Sequence, residues 1–345
     1  MTFLTTVDAK HFHTEIPAKP MGKYAHFVTM RVTESYPLFQ TDGELNRARV
    51  HAGMKRDDAE SRKIISRLAM FKRKQSSPER LTGRELLRNY QIGDWEKCDY
   101  NVDFSKTTPD CILYGFAIGD AGSEKSKVVV DTAYSITPFD DSHLNFTLNA
   151  PFENGTMSRN GEVTSRINSQ DHILPQVFFP SIVTLKDPTE AGFLYVFNNI
   201  LRTRHYGAQT TRTGRVRNEL IGVVFADGEI VSNLRWTQKI YDLMIEKNQI
   251  QDPDPLNEDH VLDTAQEAMN QLMSEECIPH TDLMGDALQS LLSEVKAITS
   301  DEAQLKAMLT QANVESMAYA QKHIFKPTGE KGKKGSKKVA TATAE

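Results

Sequence analysis

The residues that point most clearly to a function are arginines that lie close together in one segment of the 345-residue chain. Five arginines fall within the sixteen positions 202–217, interleaved with glycines, a histidine and a tyrosine. Arginine pairs well with phosphate, glycine lets the backbone approach it, and an aromatic ring can stack on a nucleobase. The segment therefore predicts an interface for a nucleic acid, formed by Arg202, Arg204, Tyr206, Arg212, Arg215 and Arg217.

A second basic stretch lies earlier, at 45–90, where thirteen Lys and Arg residues stand against five Asp and Glu residues. Clustered cations create a local positive potential whatever the net charge is. The candidates for phosphate binding in this stretch are Arg47, Arg49, Lys55, Arg56, Lys63, Arg67, Lys72 and Arg73. Arg159 and Arg166 flank the turn dipeptide Asn160-Gly161 and add a predicted hairpin tip to the same interface.

An acidic region balances the basic stretches, so the net charge of −5 hides them. Segment 242–325 holds sixteen acidic residues against four lysines. Such a region discourages non-specific binding of polyanions to the protein. It can also contact the basic face of a neighbouring copy in a head-to-tail assembly. The alternative is that both poles are merely solvated faces.

The positions of cysteine and histidine residues make a structural zinc site a second hypothesis. Twelve residues separate Cys98 from Cys111 and His51 lies upstream, and thiolate and imidazole are the usual zinc ligands. A structural zinc ion takes four ligands, so these three form an incomplete set. The alternative is two buried structural cysteines, with Cys277 also packed in the fold.

Several classes of function are disfavoured because their motifs are missing. The chain has no GxxxxGK[ST], no GxGxxG after a strand, no HExxH and no GxSxG. It has neither a run of about 18 apolar residues nor a signal-like start, and three cysteines suit a reducing compartment. We therefore expect a cytoplasmic protein without a membrane partner.

Both strands and helices are predicted around these residues. Strands are predicted at 23–39, 112–118, 127–136 and 219–225, with turns at 41–43 and 227–228. Helices are predicted at 57–74, 77–90, 232–247, 258–276, 282–298 and 300–325, while 149–176 resembles a polar loop and 326–345 should be disordered. The fold class is therefore α+β, with a C-terminal helical section.

Three long stretches resemble a known family. They are FKRKQSSPERLTGRE at 71–85, NGEVTSRINSQDHILPQ at 160–176 and RTRHYGAQTTRTGRVRNELIGVVFADGE at 202–229. Together they are similar to the backbone subunit of the type I-D CRISPR effector complex, over roughly 23–247.

The resemblance implies a fold and a set of partners. The family has an antiparallel sheet core similar to an RNA-recognition motif (ferredoxin-like), with large inserted peripheral domains. Its copies stack head to tail along a CRISPR guide RNA that pairs with target DNA, beside a large nuclease-bearing subunit, a subunit that caps the guide 5′ end, and small subunits. A protruding hairpin kinks the guide. No cofactor is required, although some members carry a zinc-binding insertion, which favours the ligands His51, Cys98 and Cys111.

On this basis the chain divides into an N-terminal extension at 1–22, a core at 23–44, 112–148 and 177–247, a basic inserted domain at 45–111, a protruding hairpin or loop at 149–176, an acidic helical section at 248–325, and a disordered Lys-rich tail at 326–345.

We expect no catalytic activity. The alternative is a ruler-type nuclease, because related backbone subunits cut target RNA with an acidic residue in the loop after the first strand, where this chain has Asp42. Asp42 can equally make the Asp-Gly turn.

Overall fold

The structure is a computed structural model that describes residues 2–41, 43–99, 102–118, 122–148, 158–159, 162–163, 168–207, 213–250 and 255–325. The strands are β1 (Tyr24–Thr33), β2 (Gln40–Thr41), β3 (Glu44–Leu45), β4 (Arg47–His51), β5 (Ile64–Met70), β6 (Phe116–Ala117), β7 (Ser123–Glu124), β8 (Val128–Val130), β9 (Ala133–Pro138), β10 (His143–Leu148), β11 (Ser158–Arg159), β12 (Glu162–Val163), β13 (Asn168–Ile173), β14 (Phe178–Lys186), β15 (His205–Gly207), β16 (Thr213–Ala226) and β17 (His280–Leu283). The helices are α1 (Ala59–Arg62), α2 (Lys72–Asn89), α3 (Pro109–Tyr114), α4 (Glu190–Arg202), α5 (Asn233–Glu246), α6 (Glu258–Glu275), α7 (Gly285–Ser300) and α8 (Glu302–His323).

The main sheet is antiparallel and is built around β1. The strand order is β15-β16-β1-β14-β8, and β17 pairs with the last residues of β16. β1 is rich in β-branched and aromatic residues and is buried along nearly its whole length. Phe27 packs between Phe193 and Phe197 of α4, with ring centroids 5.0 and 5.1 Å away, whereas Val28 lies in the cluster that contains Trp236 of α5. A central strand covered by helices on both faces explains the continuous apolar run.

The predicted long strand at 23–39 is correct only for its first part, because β1 ends at Thr33. Pro37 has no backbone N–H to donate to a strand ladder. The turn predicted around Gly43 is confirmed, because Gln40 pairs with Leu45 and Thr41 with Glu44 on either side of it.

The predicted helix at 57–74 is wrong. Asp58 caps only the single turn of α1, and the chain then enters β5, which pairs with β4 and β9 in a separate three-stranded sheet. The next helix, α2, begins at Lys72 rather than at Ser77, and Pro78 lies inside it. The spacing of Ile64, Ile65 and Leu68 fits a helix, but pairing with distant strands decides the outcome.

The predicted strand at 112–118 is wrong for its first part and correct only at β6, which pairs with β7. Residues 109–114 form α3, with Thr108 at the N-cap and Pro109 in the first turn. A proline in this position followed by Asp110 is a helix start signal that was present in the sequence. The second predicted strand, at 127–136, divides into β8 and β9.

The C-terminal helices are confirmed, with small shifts in their bounds. Ser232 caps α5 as predicted, and Asp301 rather than Ser300 caps α8. The intervening β17 joins the main sheet, and Leu291, Val295 and Met308 enter the same hydrophobic core as β1. No helix in the part of the chain that the structure describes is both long and apolar enough to cross a membrane. The predicted disordered tail at 326–345 lies outside the described residues.

Candidate nucleic-acid interface

A basic groove lies on the three-stranded sheet formed by β4, β5 and β9. Arg47 and Arg49 are two residues apart on β4, so their side chains leave the same face of the strand. Lys63 stands directly before β5. The three cations line an open groove of about 830 Å³, whose other walls are Ile64, Ile65, Ser66, Pro138, Asp140 and Asp141.

The charges in this groove are available to a ligand. Arg47, Arg49 and Lys63 are exposed, and none of them forms an ion pair with a residue that the structure describes. The Arg47 guanidinium lies over the Phe139 ring, 5.1 Å from its centroid, and this contact holds the group at the groove. Asp140 and Asp141 lower the net potential but leave three cations against two carboxylates. The arrangement can bind successive phosphates of a polyanion.

The other candidates of the first basic stretch differ in their surroundings. Lys55 forms an ion pair with Glu246 of α5. Arg56, Lys72 and Arg73 are exposed, the last two in the first turn of α2.

The assignment of Arg67 to the interface needs correction, because this side chain is fully buried. Its guanidinium donates to the carbonyl oxygens of Ser135 (2.6 Å), Ile136 and Ala52 (2.7 Å). Burial lowers its pKa to about 10. Arg67 therefore connects β5 to β9 and to the residue after β4, and it supports the groove from beneath.

The second basic stretch is largely engaged within the molecule. Arg217 contacts the carboxylates of Glu34, Glu219 and Glu258, and Arg215 donates to Glu34 at 2.8 Å. Arg202 donates to Asn198 (2.8 Å) and to the carbonyl of Thr299 (2.7 Å), which connects α4 to α7. Arg204 is exposed beside the equally exposed His205. Arg202, Arg215 and Arg217 are therefore less available to a ligand than the three cations of the basic groove.

The assignment of Tyr206 as a base-stacking residue also needs correction, because its side chain is fully buried. Its hydroxyl donates to Glu79 (3.0 Å) and accepts from Arg31 (2.8 Å) and Asn218 (2.9 Å). Arg31 and Glu79 form an ion pair at 2.8 Å with neither side chain exposed. This network connects α2 to β1, β15 and β16, so the tyrosine serves the fold.

Four further residues of the sequence prediction cannot be placed. Asp42, Arg166 and Arg212 lie outside the described residues, as does the side chain of Arg159 on β11.

The structure brings two of the three predicted metal ligands together, Cys98 and Cys111, but not His51. His51 lies on β4 and its Nδ1 is 2.8 Å from the carbonyl oxygen of Arg62, whereas Cys98 and Cys111 are buried with their sulfur atoms 3.9 Å apart. Among the described residues, the group that could hold a metal consists of Cys98, Cys111 and Asp110.

Asp110 is already occupied. Its carboxylate accepts from Arg80 (2.8 and 3.0 Å) and from Arg84 (2.6 and 2.7 Å). Two thiols and a carboxylate held by two guanidinium groups do not fit a four-ligand zinc site.

Comparison with known proteins decides the family. The family model described as Csc2 Crispr matches residues 11–309. The chain belongs to the Csc2 CRISPR family. No curated protein matches the chain.

One solved structure agrees with this family at the level of the fold. The Csc2 crystal structure from Thermofilum pendens has a TM-score of 0.59 at 14% identity, covering 91% of this chain and 95% of that one. The match to a chain of a CRISPR RNA-guided surveillance complex covers 75% of this chain and 87% of that one at 9% identity, with a TM-score of 0.46. The chain is thus a mixed α+β member of the Csc2 family, and its residue roles rest on its own geometry.

Proposed function

We propose that this chain is the guide-RNA-binding backbone subunit of a type I-D CRISPR effector complex. Copies polymerise head to tail along the guide and present it for pairing with target DNA, on a core similar to an RNA-recognition motif. The subunit itself has no nuclease activity and needs no metal ion. Its partners are the large nuclease-bearing subunit, the subunit at the guide 5′ end and the small subunits, in the cytoplasm.

The observation that carries this proposal is the basic groove, with Arg47, Arg49 and Lys63 exposed and unpaired among the described residues. The protein grips phosphates there, and base pairing supplies the sequence specificity. Family membership supports the same reading, because it places the chain in a CRISPR system.

Removing the groove cations tests this function. We expect the triple variant Arg47→Ala, Arg49→Ala, Lys63→Ala to bind single-stranded RNA at least about tenfold more weakly near 0.1 M salt. The slope of log affinity against log salt should become shallower by about 2, since each lost phosphate contact contributes about 0.7 for single strands. Filter binding over a salt series with the full-length chain measures both quantities.

A charge-matched control uses three cations that each contact a carboxylate within the chain. The variant Arg235→Ala, Lys247→Ala, Lys322→Ala removes the partners of Glu275, Glu267 and Glu15. It should leave the salt slope nearly unchanged. Equal slopes for the wild type and the groove variant would rule out the groove as the phosphate-binding surface.

A further inference from the structure

A two-stranded ribbon, β10–β13, starts at the rim of the basic groove. Asp141 in the groove wall is two residues before the first residue of β10. The antiparallel register sets Leu144 opposite His172 and Phe146 opposite Gln170. Because cross-strand partners and alternate residues share a face, these four side chains lie on one side of the ribbon.

Aromatic groups dominate this side. The Phe146 ring is 5.1 Å from the Tyr36 ring and 5.2 Å from the His172 ring, in both cases edge-on. Tyr36 is 43% exposed and Leu144 is 47% exposed. We call Tyr36, Leu144, Phe146 and His172 the aromatic face.

The backbone that carries Tyr36 is fixed on both sides. The Pro37 carbonyl accepts a hydrogen bond from the Ile173 amide (3.2 Å), and the Ser35 side-chain Oγ accepts one from the Arg215 amide (2.7 Å). Gly214 approaches so closely that a β-carbon there would lie 2.3 Å from the Pro37 nitrogen. The segment that carries Tyr36 is therefore held in place before any ligand binds, which reduces the entropy lost on binding.

We propose that the aromatic face is a stacking platform for an unpaired nucleobase of the strand whose phosphates occupy the basic groove. The inference rests on the proposed function and extends it from phosphates to bases. Exposed aromatic rings are costly in water, and a base offers them a flat apolar partner whatever its identity. The cations of the adjoining basic groove favour a polyanion over an apolar protein segment as the occupant.

The test compares two labelled strands of equal length, an oligouridine and an abasic ribose-phosphate polymer. The wild-type chain should bind the oligouridine more tightly, by about tenfold for one or two stacked bases. The double variant Tyr36→Leu, Phe146→Leu should lose most of this preference and keep its salt slope. Thr147→Ala, on the opposite side of β10, should retain both.

The outcomes separate this inference from the proposed function. If the wild type binds neither strand, the proposed function fails. If it binds both strands equally, or if the double variant keeps the preference, the stacking platform is wrong, whereas phosphate binding in the basic groove is not contradicted. Reduced self-association of the variant with an unchanged strand preference would likewise overturn it, in favour of a protein contact.

A second measurement covers the case in which the double variant does not fold. An oligouridine with one 2-aminopurine, bound to the wild-type chain, should change its fluorescence as that base leaves its neighbours and stacks on the protein. Fluorescence that stays constant on binding, with the reporter moved along the strand, would contradict the platform.

Discussion

The arginines show most directly how one residue type takes different roles in this chain. The Arg47 guanidinium is exposed at the groove, that of Arg217 is surrounded by three carboxylates, and that of Arg67 is buried among carbonyl oxygens. The sequence predicts all three as phosphate ligands, because composition reports charge and not surroundings. The partners that distinguish them lie far away in the chain, such as Glu258 for Arg217 and Ser135 for Arg67.

His26 gives a prediction of pH dependence at the residue scale. It is buried between Thr184 Oγ1 (2.8 Å) and the Gly228 carbonyl (3.0 Å), and burial lowers its pKa from 6.5 to about 4. The unfolded chain therefore binds more protons between these values, so the stabilising contribution is full above about pH 6.5 and is lost as pH falls through about 4. We expect His26 to account for about 3 kcal/mol of the decrease in unfolding free energy over this window.

Urea titrations at pH 4 and pH 6.5 measure this contribution. His26→Gln should make the difference between the two pH values smaller by about 3 kcal/mol, whereas His260→Gln, at an exposed position of α6, should not change it. An unaltered pH difference in His26→Gln would show that His26 titrates normally in the folded protein.

At the scale of elements, local signals predict the helices better than the strands. Ser232 at the start of α5 and Asp301 at the start of α8 cap their helices through neighbours three residues away, so the sequence contains the whole signal. β5 has no such local determinant, because its pairing with β4 and β9 forms only in the folded chain. The basic groove lies on these three strands, so a wrong element prediction also hid the geometry of the site.

Substitution of Arg67 tests how much its hydrogen bonds stabilise the three-stranded sheet of β4, β5 and β9. Arg67→Met would leave the carbonyls of Ala52, Ser135 and Ile136 without their donor, at about 1–3 kcal/mol each. Its burial costs about 3 kcal/mol, judged from the lowered pKa, so part of the loss is offset. We expect chemical denaturation to show a net loss of about 2–5 kcal/mol.

Arg62→Met is the matched control, because this arginine is exposed at the end of α1. It should leave the free energy of unfolding unchanged within about 0.5 kcal/mol. A fully stable Arg67→Met protein with weakened RNA binding would instead return Arg67 to the interface.

At the scale of the whole molecule, the charge poles predicted from the sequence contact each other within one chain. Lys55 of the basic stretch pairs with Glu246, and Arg217 pairs with Glu258 at the start of α6. The segregation of charge along the sequence was correct, but part of it is neutralised on folding. Arg47, Arg49 and Lys63 remain uncompensated together in the basic groove, while Arg56, Lys72, Arg73 and Arg204 are exposed elsewhere on the described surface.

Fold class and family were therefore accessible from the sequence, while the interface was only partly so. Long similar stretches and the strand and helix composition indicated an α+β CRISPR subunit, and the family match bears out that coarser statement. Residue roles were not accessible, because Tyr206 and Arg67 are buried by segments far from them in sequence. The aromatic face was also not predicted from the sequence, because Tyr36 and Phe146 come into contact only after β10 pairs with β13.

RNA binding in the basic groove is tested most directly by mapping where single-stranded RNA contacts the protein. RNA that contains 4-thiouridine is crosslinked to the full-length chain with ultraviolet light, and the modified peptides are identified by mass spectrometry. We expect adducts in peptides from β4 and β5 and from the start of β10, and their loss in the groove triple variant. Adducts confined to α6, α7 and α8, or adducts that persist unchanged in that variant, would contradict it.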